Sequence, residues 1–185
     1  MEISKKEYRI KYTQLRKSLT NAQLNSYNSS INDELKIIST GNVHLFLPIK
    51  SKIEVDIWPF IKHLRNSDFT IGTSIYNSTN NSVKHVEILN NSIFETGDYQ
   101  IPKPTIYKEV EISIFNTVII PLLAYDENGN RVGYGKGIYD GILEKCSEKC
   151  RLIGVSYFNP EKKIIPEEHD IPLNYCINPN NLIKF

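Results

Sequence analysis

The sequence has no excess of charge of one sign and no long hydrophobic run. Its 185 residues carry 22 lysines and arginines against 21 aspartates and glutamates, a formal net charge of +1 at pH 7. That balance excludes the strong basic field of a general nucleic-acid binder or a membrane-surface helix. The longest apolar run, residues 118–125, is far shorter than the roughly 20 residues of a membrane span, and it contains Pro121. We therefore expect neither nucleic acid nor membrane as a partner.

Cysteine is also scarce, with three in the chain and no Cys-x-x-Cys pair. Because the number is odd, a disulfide framework is not expected. We expect Cys146, Cys150 and Cys176 to serve as small buried apolar side chains, the first two on one helix. The segment through Leu19 is charged throughout and lacks the apolar run of a secretory signal, so we expect a cytoplasmic protein in a reducing compartment.

What the chain does contain is the composition of one globular domain. Hydrophobic residues make up 40% of it, and 185 residues suit a single domain spanning residues 1–185. Hydrophobic periodicity predicts strands that alternate with helices, which indicates an α/β fold with a largely parallel sheet and helices on both faces. The predicted helices begin at Lys5, after Thr20, near Asp56 and at Ile138, the last running to Lys149. The predicted strands are residues 43–48, 68–76, 86–89, 93–94, 117–120, 152–158 and 175–177.

The first predicted helix carries a row of cations. Ser4 and Glu7 have the spacing of a capping box. Four apolar residues at helical spacing form its predicted buried side, namely Tyr8, Tyr12, Leu15 and Leu19. At 100° per residue, Lys5, Arg9 and Arg16 point within about 40° of one another and form a cationic ridge. A solvated charged face is the alternative interpretation of this ridge.

The most informative segment runs from Arg131 to Asp140, reads RVGYGKGIYD and follows the predicted strand 117–120. Its three glycines at alternate positions expose backbone N–H groups beyond the carboxyl end of a strand, and Arg131 and Lys136 add cations, so the loop suits phosphate. Asp140 is placed to hold Mg²⁺ that bridges phosphate oxygens. The spacing matches neither common nucleotide loop, and a tight turn whose glycines relieve strain is the alternative.

The string PLLAYDENGNRVGYGKGIYDGIL, residues 121–143, resembles the signature of the 5-formyltetrahydrofolate cyclo-ligase (methenyltetrahydrofolate synthetase) family. The similarity extends from Lys5-x-x-x-Arg9 through Ile-Glu54-Val-Asp to His169-Asp170. It implies ATP-dependent conversion of 5-formyltetrahydrofolate to 5,10-methenyltetrahydrofolate with release of ADP and phosphate, through phosphorylation of the formyl oxygen and ring closure by N10. It also implies a single-domain three-layer α/β/α fold with a largely parallel, Rossmann-like (NagB/RpiA/CoA transferase-like) sheet.

The resemblance further implies the site residues, position by position. ATP binding falls on Lys5, Arg9, Arg131, Val132, Gly133, Tyr134, Gly135, Lys136, Gly137, Ile138 and Tyr139. Substrate binding falls on Ile49, Glu54, Tyr134, Gly135, Lys136, Gly137 and Ile138. Arg131, Lys136 and Tyr139 are the expected catalytic residues, and Asp140 and Asp170 the expected Mg²⁺ ligands. The Glu54 carboxylate can accept hydrogen bonds from pterin N–H groups.

Four positions depart from the family pattern: Tyr125 replaces Phe, Ile138 replaces Tyr, Lys103 replaces Glu and Asn174 replaces Asp. Two of these changes remove an acidic group, which motivates a second hypothesis, a folate-sequestering protein without turnover. A third hypothesis is an unrelated sugar-phosphate or acyl-CoA enzyme of similar architecture. Asn174 is not expected to be a ligand. The leading hypothesis is the ATP-dependent enzyme, working as a monomer on 5-formyltetrahydrofolate and ATP.

The remaining expectations concern structural residues. His44, His63 and His85 have no metal-site spacing and are expected to be structural or exposed. His169 either orients Asp170 or fills a turn. Trp58 is expected in the core or at its rim. The prolines in the segment Tyr99–Pro104 predict extended backbone there.

Overall fold

The structure is a computed structural model that describes residues 3–185. In this range the four α-helices are α1 (Lys5–Lys17), α2 (Asn21–Ile38), α3 (Trp58–Leu64) and α4 (Ile138–Leu143). The strands of the first half are β1 (Val43–His44), β2 (Ile71–Asn77), β3 (Ser82–Ile88), β4 (Phe94–Thr96), β5 (Pro102–Pro104) and β6 (Tyr107–Glu109). Those of the second half are β7 (Thr117–Pro121), β8 (Ala124–Tyr125), β9 (Arg131–Val132), β10 (Arg151–Val155), β11 (Tyr175–Ile177) and β12 (Leu182–Lys184). No helix within residues 3–185 is long and apolar enough to cross a membrane.

Eight strands form the central sheet, in the order β12-β11-β10-β7-β1-β2-β3-β6. The five inner strands, β11 through β2, are parallel to one another. Both edges are closed by antiparallel strands, β12 on one side and β3 and β6 on the other. The predicted largely parallel sheet is therefore confirmed, and the pairing places the carboxyl ends of the inner strands at one edge.

The core has two faces because side chains alternate along β7. Ile119 packs toward Leu35 of α2 and Phe60 of α3. Val118 and Ile120 point the other way, toward Leu143 of α4. Helices therefore cover both faces of the sheet, as predicted, although α4 is short.

Helix α1 lies on the small β8–β9 hairpin rather than on the main sheet. Its capping box between Ser4 and Glu7 is present, as predicted. Tyr8 and Tyr12 are buried against this hairpin, but Leu15 is 38% exposed. The buried side continues instead to Arg16, which is 2% exposed. The predicted apolar stripe was therefore wrong at Leu15. The buried residues of α1 are spaced by four, at Tyr8, Tyr12 and Arg16, so a cation takes the place expected for Leu15.

Helix α4 ends six residues before the predicted Lys149, at Leu143. Beyond it, the N–H of Cys146 reaches the Leu143 carbonyl and the N–H of Cys150 the Ser147 carbonyl, so local turns replace the helix. The prediction that Cys146 and Cys150 share a helix was therefore wrong. All three cysteines are free thiols; Cys150 and Cys176 are buried and Cys146 is half-buried against the same core.

Two predicted extended segments differ in the structure. The strand expected over residues 43–48 is confined to β1 and one further hydrogen bond, from the Leu45 N–H to the Gly72 carbonyl of β2, after which the buried chain continues toward Pro48 outside a strand. Residues 98–100 form a 3₁₀ turn in which Tyr99 and Gln100 have φ of +53° and +64°, so the expectation of extended backbone was wrong there. A proline constrains only the residue before it, and here that residue is Ile101, which is extended.

Candidate active site

A cavity of about 920 Å³ opens at the carboxyl ends of the inner strands. It is lined by Pro121 at the end of β7, Leu47 beyond β1 and Thr73 on β2. This is the edge at which open parallel sheets bind their ligands, and the volume lies in the range of small-molecule sites. Every site residue expected from the sequence lines the cavity except Val132. Val132 pairs with Ala124 in the β8–β9 hairpin and turns its side chain into the core beneath α1.

Two cations of α1 reach the cavity. The Lys5 ammonium lies 2.5 Å from Asp170 Oδ2 and 3.6 Å from Glu167 Oε1. Arg9 Nε donates to the Gly133 carbonyl at 3.0 Å. The solvated-face interpretation of the ridge was therefore wrong, because neither side chain is fully exposed and both are tied to the walls of the cavity.

The glycine-rich loop, residues 131–139, forms the wall beside α1. Gly135 and Gly137 have φ of +78° and +66°, a region that non-glycine residues adopt only with strain. A Cβ on Gly135 would lie 2.8 Å from the central carbon of the Arg9 guanidinium, whereas one on Gly137 or Gly133 would meet nothing within 4 Å. The three glycines therefore differ in their surroundings. Gly135 leaves room for the Arg9 guanidinium, and Gly133 and Gly137 face open space.

The expected metal ligands Asp140 and Asp170 converge, and a ligand atom of His169 joins them so that all three lie within 4.8 Å of one another. Asp140 is paired with Arg131, which also donates to the Ile171 carbonyl. Asp170 is paired with Lys5 and also accepts the backbone N–H of Glu167. These two contacts help to hold the pKa of the Asp170 carboxyl below its usual value, although burial acts to raise it. Each expected metal ligand is therefore paired with a cation that is expected to bind ATP.

His169 does not orient Asp170 through a hydrogen bond. Its Nε2 lies 3.4 Å from Glu167 Oε2, and its side chain is 67% exposed. Of the other histidines, His44 is buried, where burial lowers its pKa to about 3, and its Nε2 lies 3.0 Å from Ser74 Oγ. His85 contacts the same hydroxyl and His63 is exposed, so the expectation of structural or exposed histidines is confirmed.

Glu54 is buried on the opposite wall of the cavity, with 7% of its surface exposed. It follows the 3₁₀ turn Lys50–Lys52 and Ile53, whose φ of +49° is strained for a β-branched residue. Glu54 Oε2 accepts the backbone N–H of Ile49 at 2.6 Å, which brings two of the expected substrate-binding residues into contact. Burial raises the pKa of the Glu54 carboxyl, while Ile49, Arg16, Tyr134 and Lys52 oppose that rise.

Two tyrosines of the loop, Tyr134 and Tyr139, also have raised pKa values. Burial raises the pKa of Tyr134 and of Tyr139 well above the usual value, and the charge of Glu54 adds to both shifts. Both hydroxyls are therefore protonated at neutral pH and can donate hydrogen bonds. Neither is a general base under those conditions.

The structure adds an aromatic pair at the cavity: the resemblance implies a stacking aromatic at Tyr99, but the sequence did not indicate its partner Tyr76. Tyr76 and Tyr99 stack with ring centroids 5.4 Å apart, and the Lys136 ammonium lies 4.9 Å from the centre of the Tyr99 ring. Tyr99 has a φ of +53°, in the left-handed region. Hydrophobic patterning carries no signal for such a pair, because it depends on a hairpin and a turn far apart in the chain.

The departures from the family pattern lie outside the cavity, with the exception of Ile138. Lys103 pairs with Glu95 at 3.1 Å across the β4–β5 ladder. Asn174 Oδ1 accepts the N–H of Leu152 at 2.8 Å, so its side chain holds the loop before β11 against β10. Trp58 packs edge-on against Phe94 at the rim of the core, which confirms that expectation.

The fold and the cavity define an α/β protein with a glycine-rich, cation-bearing loop at the carboxyl edge of a parallel sheet. The sequence model of the 5-formyltetrahydrofolate cyclo-ligase family matches residues 2–179, and the chain belongs to this family.

Curated relatives and solved structures agree with this assignment. The 5-formyltetrahydrofolate cyclo-ligase of Haemophilus influenzae is 32% identical over 74 residues, 39% of this chain and 40% of the relative, and that of Escherichia coli K12 is 32% identical over 83 residues, 44% and 46% of the two chains. The matched segment thus spans less than half of each of these relatives. The solved 5,10-methenyltetrahydrofolate synthetase of Aquifex aeolicus is 23% identical with a TM-score of 0.82, covering 97% of this chain and 92% of its own. That of Mycoplasma pneumoniae is 20% identical with a TM-score of 0.78, covering 96% and 100%.

Proposed function

We propose that the protein converts 5-formyltetrahydrofolate to 5,10-methenyltetrahydrofolate at the expense of ATP, releasing ADP and phosphate. One observation carries the proposal. In this member of the cyclo-ligase family, a single cavity brings together side chains suited to binding phosphate and a carboxyl group suited to binding a pterin. Lys5, Arg9 and the glycine-rich loop form one wall, and Glu54 lies on the other. All of these residues belong to one chain, so a monomer suffices.

The chemistry requires activation before ring closure. A formyl amide is a poor electrophile, and its oxygen is a poor leaving group. Transfer of the γ-phosphoryl group to that oxygen turns it into a phosphate, after which N10 attacks the same carbon and phosphate departs. The protein's main tasks are therefore to align the two substrates and to neutralise the transferring charge.

The loop wall suits the triphosphate. Arg9 and Lys136 are cations at the cavity, and the open backbone around Gly133 and Gly137 permits close approach of phosphate oxygens. We assign Mg²⁺ to Asp140 and Asp170, whose convergent carboxylate oxygens match a hard cation. The bound ion would supply charge neutralisation on the phosphates. The same carboxylates keep Lys5 and Arg131 at the site through ion pairs.

The opposite wall suits the pterin. Glu54 has one oxygen held by Ile49 and is shielded from water, so its carboxylate can accept a pair of pterin N–H bonds in a low-dielectric setting. The Tyr139 hydroxyl is available as a hydrogen-bond donor and not as a base, because burial raises its pKa.

The test is ADP release that depends on 5-formyltetrahydrofolate. We expect wild-type protein to release ADP only with the folate present, and the Lys136→Ala variant to lose this activity. Lys149→Ala, an exposed lysine beyond α4, is the matched control and should match the wild type. Tight folate binding without folate-dependent ADP release would instead indicate the sequestering hypothesis. Competition of ATP binding by a phosphosugar or CoA would indicate the third.

A further inference from the structure

Arg16 is the member of the α1 cationic ridge that faces the protein interior. Its guanidinium is 2% exposed, and no acidic side chain within residues 3–185 forms a salt bridge with it. Nη2 donates to the Leu122 carbonyl at 2.6 Å, Nη1 to the Tyr134 hydroxyl at 2.7 Å, and Nε has no partner. A buried cation held only by neutral groups is costly, and an apolar side chain would fill the same space at lower cost.

The partners of Arg16 connect parts of the cavity that are distant in sequence. Leu122 follows β7, Tyr134 lies in the glycine-rich loop, and the Lys52 carbonyl, 3.4 Å from Nη1, belongs to the turn before Glu54. Because Arg16 donates to the Tyr134 oxygen, the hydroxyl proton of Tyr134 is left free for Glu54, which lines the same cavity. A relay of contacts therefore runs from Arg16 toward Glu54, through Tyr134 and through the turn at Lys52.

We propose that Arg16 is a positioning residue that fixes Tyr134 and the turn before Glu54 and, through them, orients the Glu54 carboxyl for the folate. Arg16 is screened from the cavity by this tyrosine, so it acts on the substrate only through the relay. The inference rests on the proposed function. It adds a residue that connects the glycine-rich loop to the cavity wall that carries Glu54.

The pH dependence follows from the groups that face Glu54. Arg16 of α1, Tyr134 of the loop, Lys52 of the preceding turn and the Ile49 N–H favour its ionised form, and burial opposes it. The hydroxyls of Tyr139 on α4 and of Tyr157 beyond β10 also lie near, the latter donating to the Glu54 backbone carbonyl at 3.0 Å. Both of these tyrosines are uncharged at neutral pH because burial raises their pKa values. Removal of Arg16 therefore raises the pKa of Glu54 with no replacement cation.

The experiment compares Arg16→Met with the wild type. Because removal of Arg16 raises the pKa of Glu54, KM for 5-formyltetrahydrofolate should rise and should recover as the pH is raised, by up to about tenfold per pH unit. Arg16→Lys keeps the charge without the forked geometry, so we expect the wild-type pH profile and a smaller rise in KM. Combining Arg16→Met with Tyr134→Phe should add little to the larger single effect.

Controls separate positioning from folding. Arg151→Met removes a guanidinium that donates to the Ile38 carbonyl at the far end of the sheet, and it should leave KM and the pH profile unchanged. If Arg16→Met does not fold, Tyr134→Phe alone should shift the acidic limb of kcat/KM to higher pH. An unchanged pH profile in both Arg16→Met and Tyr134→Phe, or additive losses in the double variant, would overturn the inference. Absence of turnover in the wild type would instead refute the proposed function.

Discussion

The glycines of the loop yield the sharpest prediction, because two of them share a backbone conformation and differ only in their surroundings. Gly135 and Gly137 both have positive φ, but only a Cβ on Gly135 meets the Arg9 guanidinium. Placing alanine in the left-handed region costs about 1–2 kcal/mol at either position. Gly137→Ala should therefore lower the free energy of unfolding by about that amount.

Gly135→Ala carries a second cost. The guanidinium is the far end of a flexible side chain, so it moves aside and loses its hydrogen bond to the Gly133 carbonyl. A hydrogen bond from a charged donor contributes about 1.5–3 kcal/mol. We expect a total loss of about 2.5–5 kcal/mol, measured by urea unfolding without ligands, and weaker ATP binding by calorimetry.

Two further variants test whether Arg9 causes the difference between positions 135 and 137. In an Arg9→Ala background the clash is absent, so Gly135→Ala should cost no more than Gly137→Ala does. Gly133→Ala, with ordinary φ and open space, should change the stability little. Equal costs at positions 135 and 137 in the presence of Arg9 would refute the claim that Gly135 makes room for this side chain.

Three further predictions concern single positions. Burial raises the pKa of Glu54 in the folded state above its unfolded-state pKa. The resulting loss of folding stability is absent below the unfolded-state pKa, grows as the pH rises between the two pKa values and is complete above the folded-state pKa. Glu54→Gln should thus have a higher Tm than the wild type near about pH 8, a gap that closes toward about pH 4, together with weaker folate binding; an equal gap at both pH values would contradict this. Asp140→Asn should abolish ring closure and, by unpairing the 7%-exposed Arg131, cost about 1–2 kcal/mol of stability; retained activity would remove Asp140 from the site. Gly72→Ala should cost about 1–3 kcal/mol in urea unfolding, because its Cβ would overlap the ring of buried Phe115, and an unchanged midpoint would show that the ring can move.

Local signals accounted for much of the fold. The cap at Ser4 fixed the start of α1, and residues 175–177 were predicted with the bounds of β11, because both depend on short stretches of sequence. The two-residue strands of the β8–β9 hairpin and the edge strand β12 were missed, since such short pieces have no periodicity. Helix α4 was overextended because its apolar pattern continues past the point where the turn around Ser147 redirects the chain.

The site was predictable as a set of residue types but not as a set of contacts. The spacing of Lys5, Arg9 and Arg16 indicated one ridge, yet only tertiary packing shows that Lys5 pairs with Asp170 while Arg16 faces the interior. Helical geometry places three side chains on one stripe and does not say which neighbour covers it. The same limit applies to the stacking of Tyr76 on Tyr99, which depends on the fold of a distant hairpin.

The central claim is the ATP-dependent ring closure, and absorbance at the methenyl-folate band tests it most directly. Purified protein is mixed with 5-formyltetrahydrofolate, ATP and Mg²⁺, and the omission of ATP is the control. The account predicts that the absorbance grows only when ATP and Mg²⁺ are both present. No growth with all components present, while the folate remains bound, would contradict it.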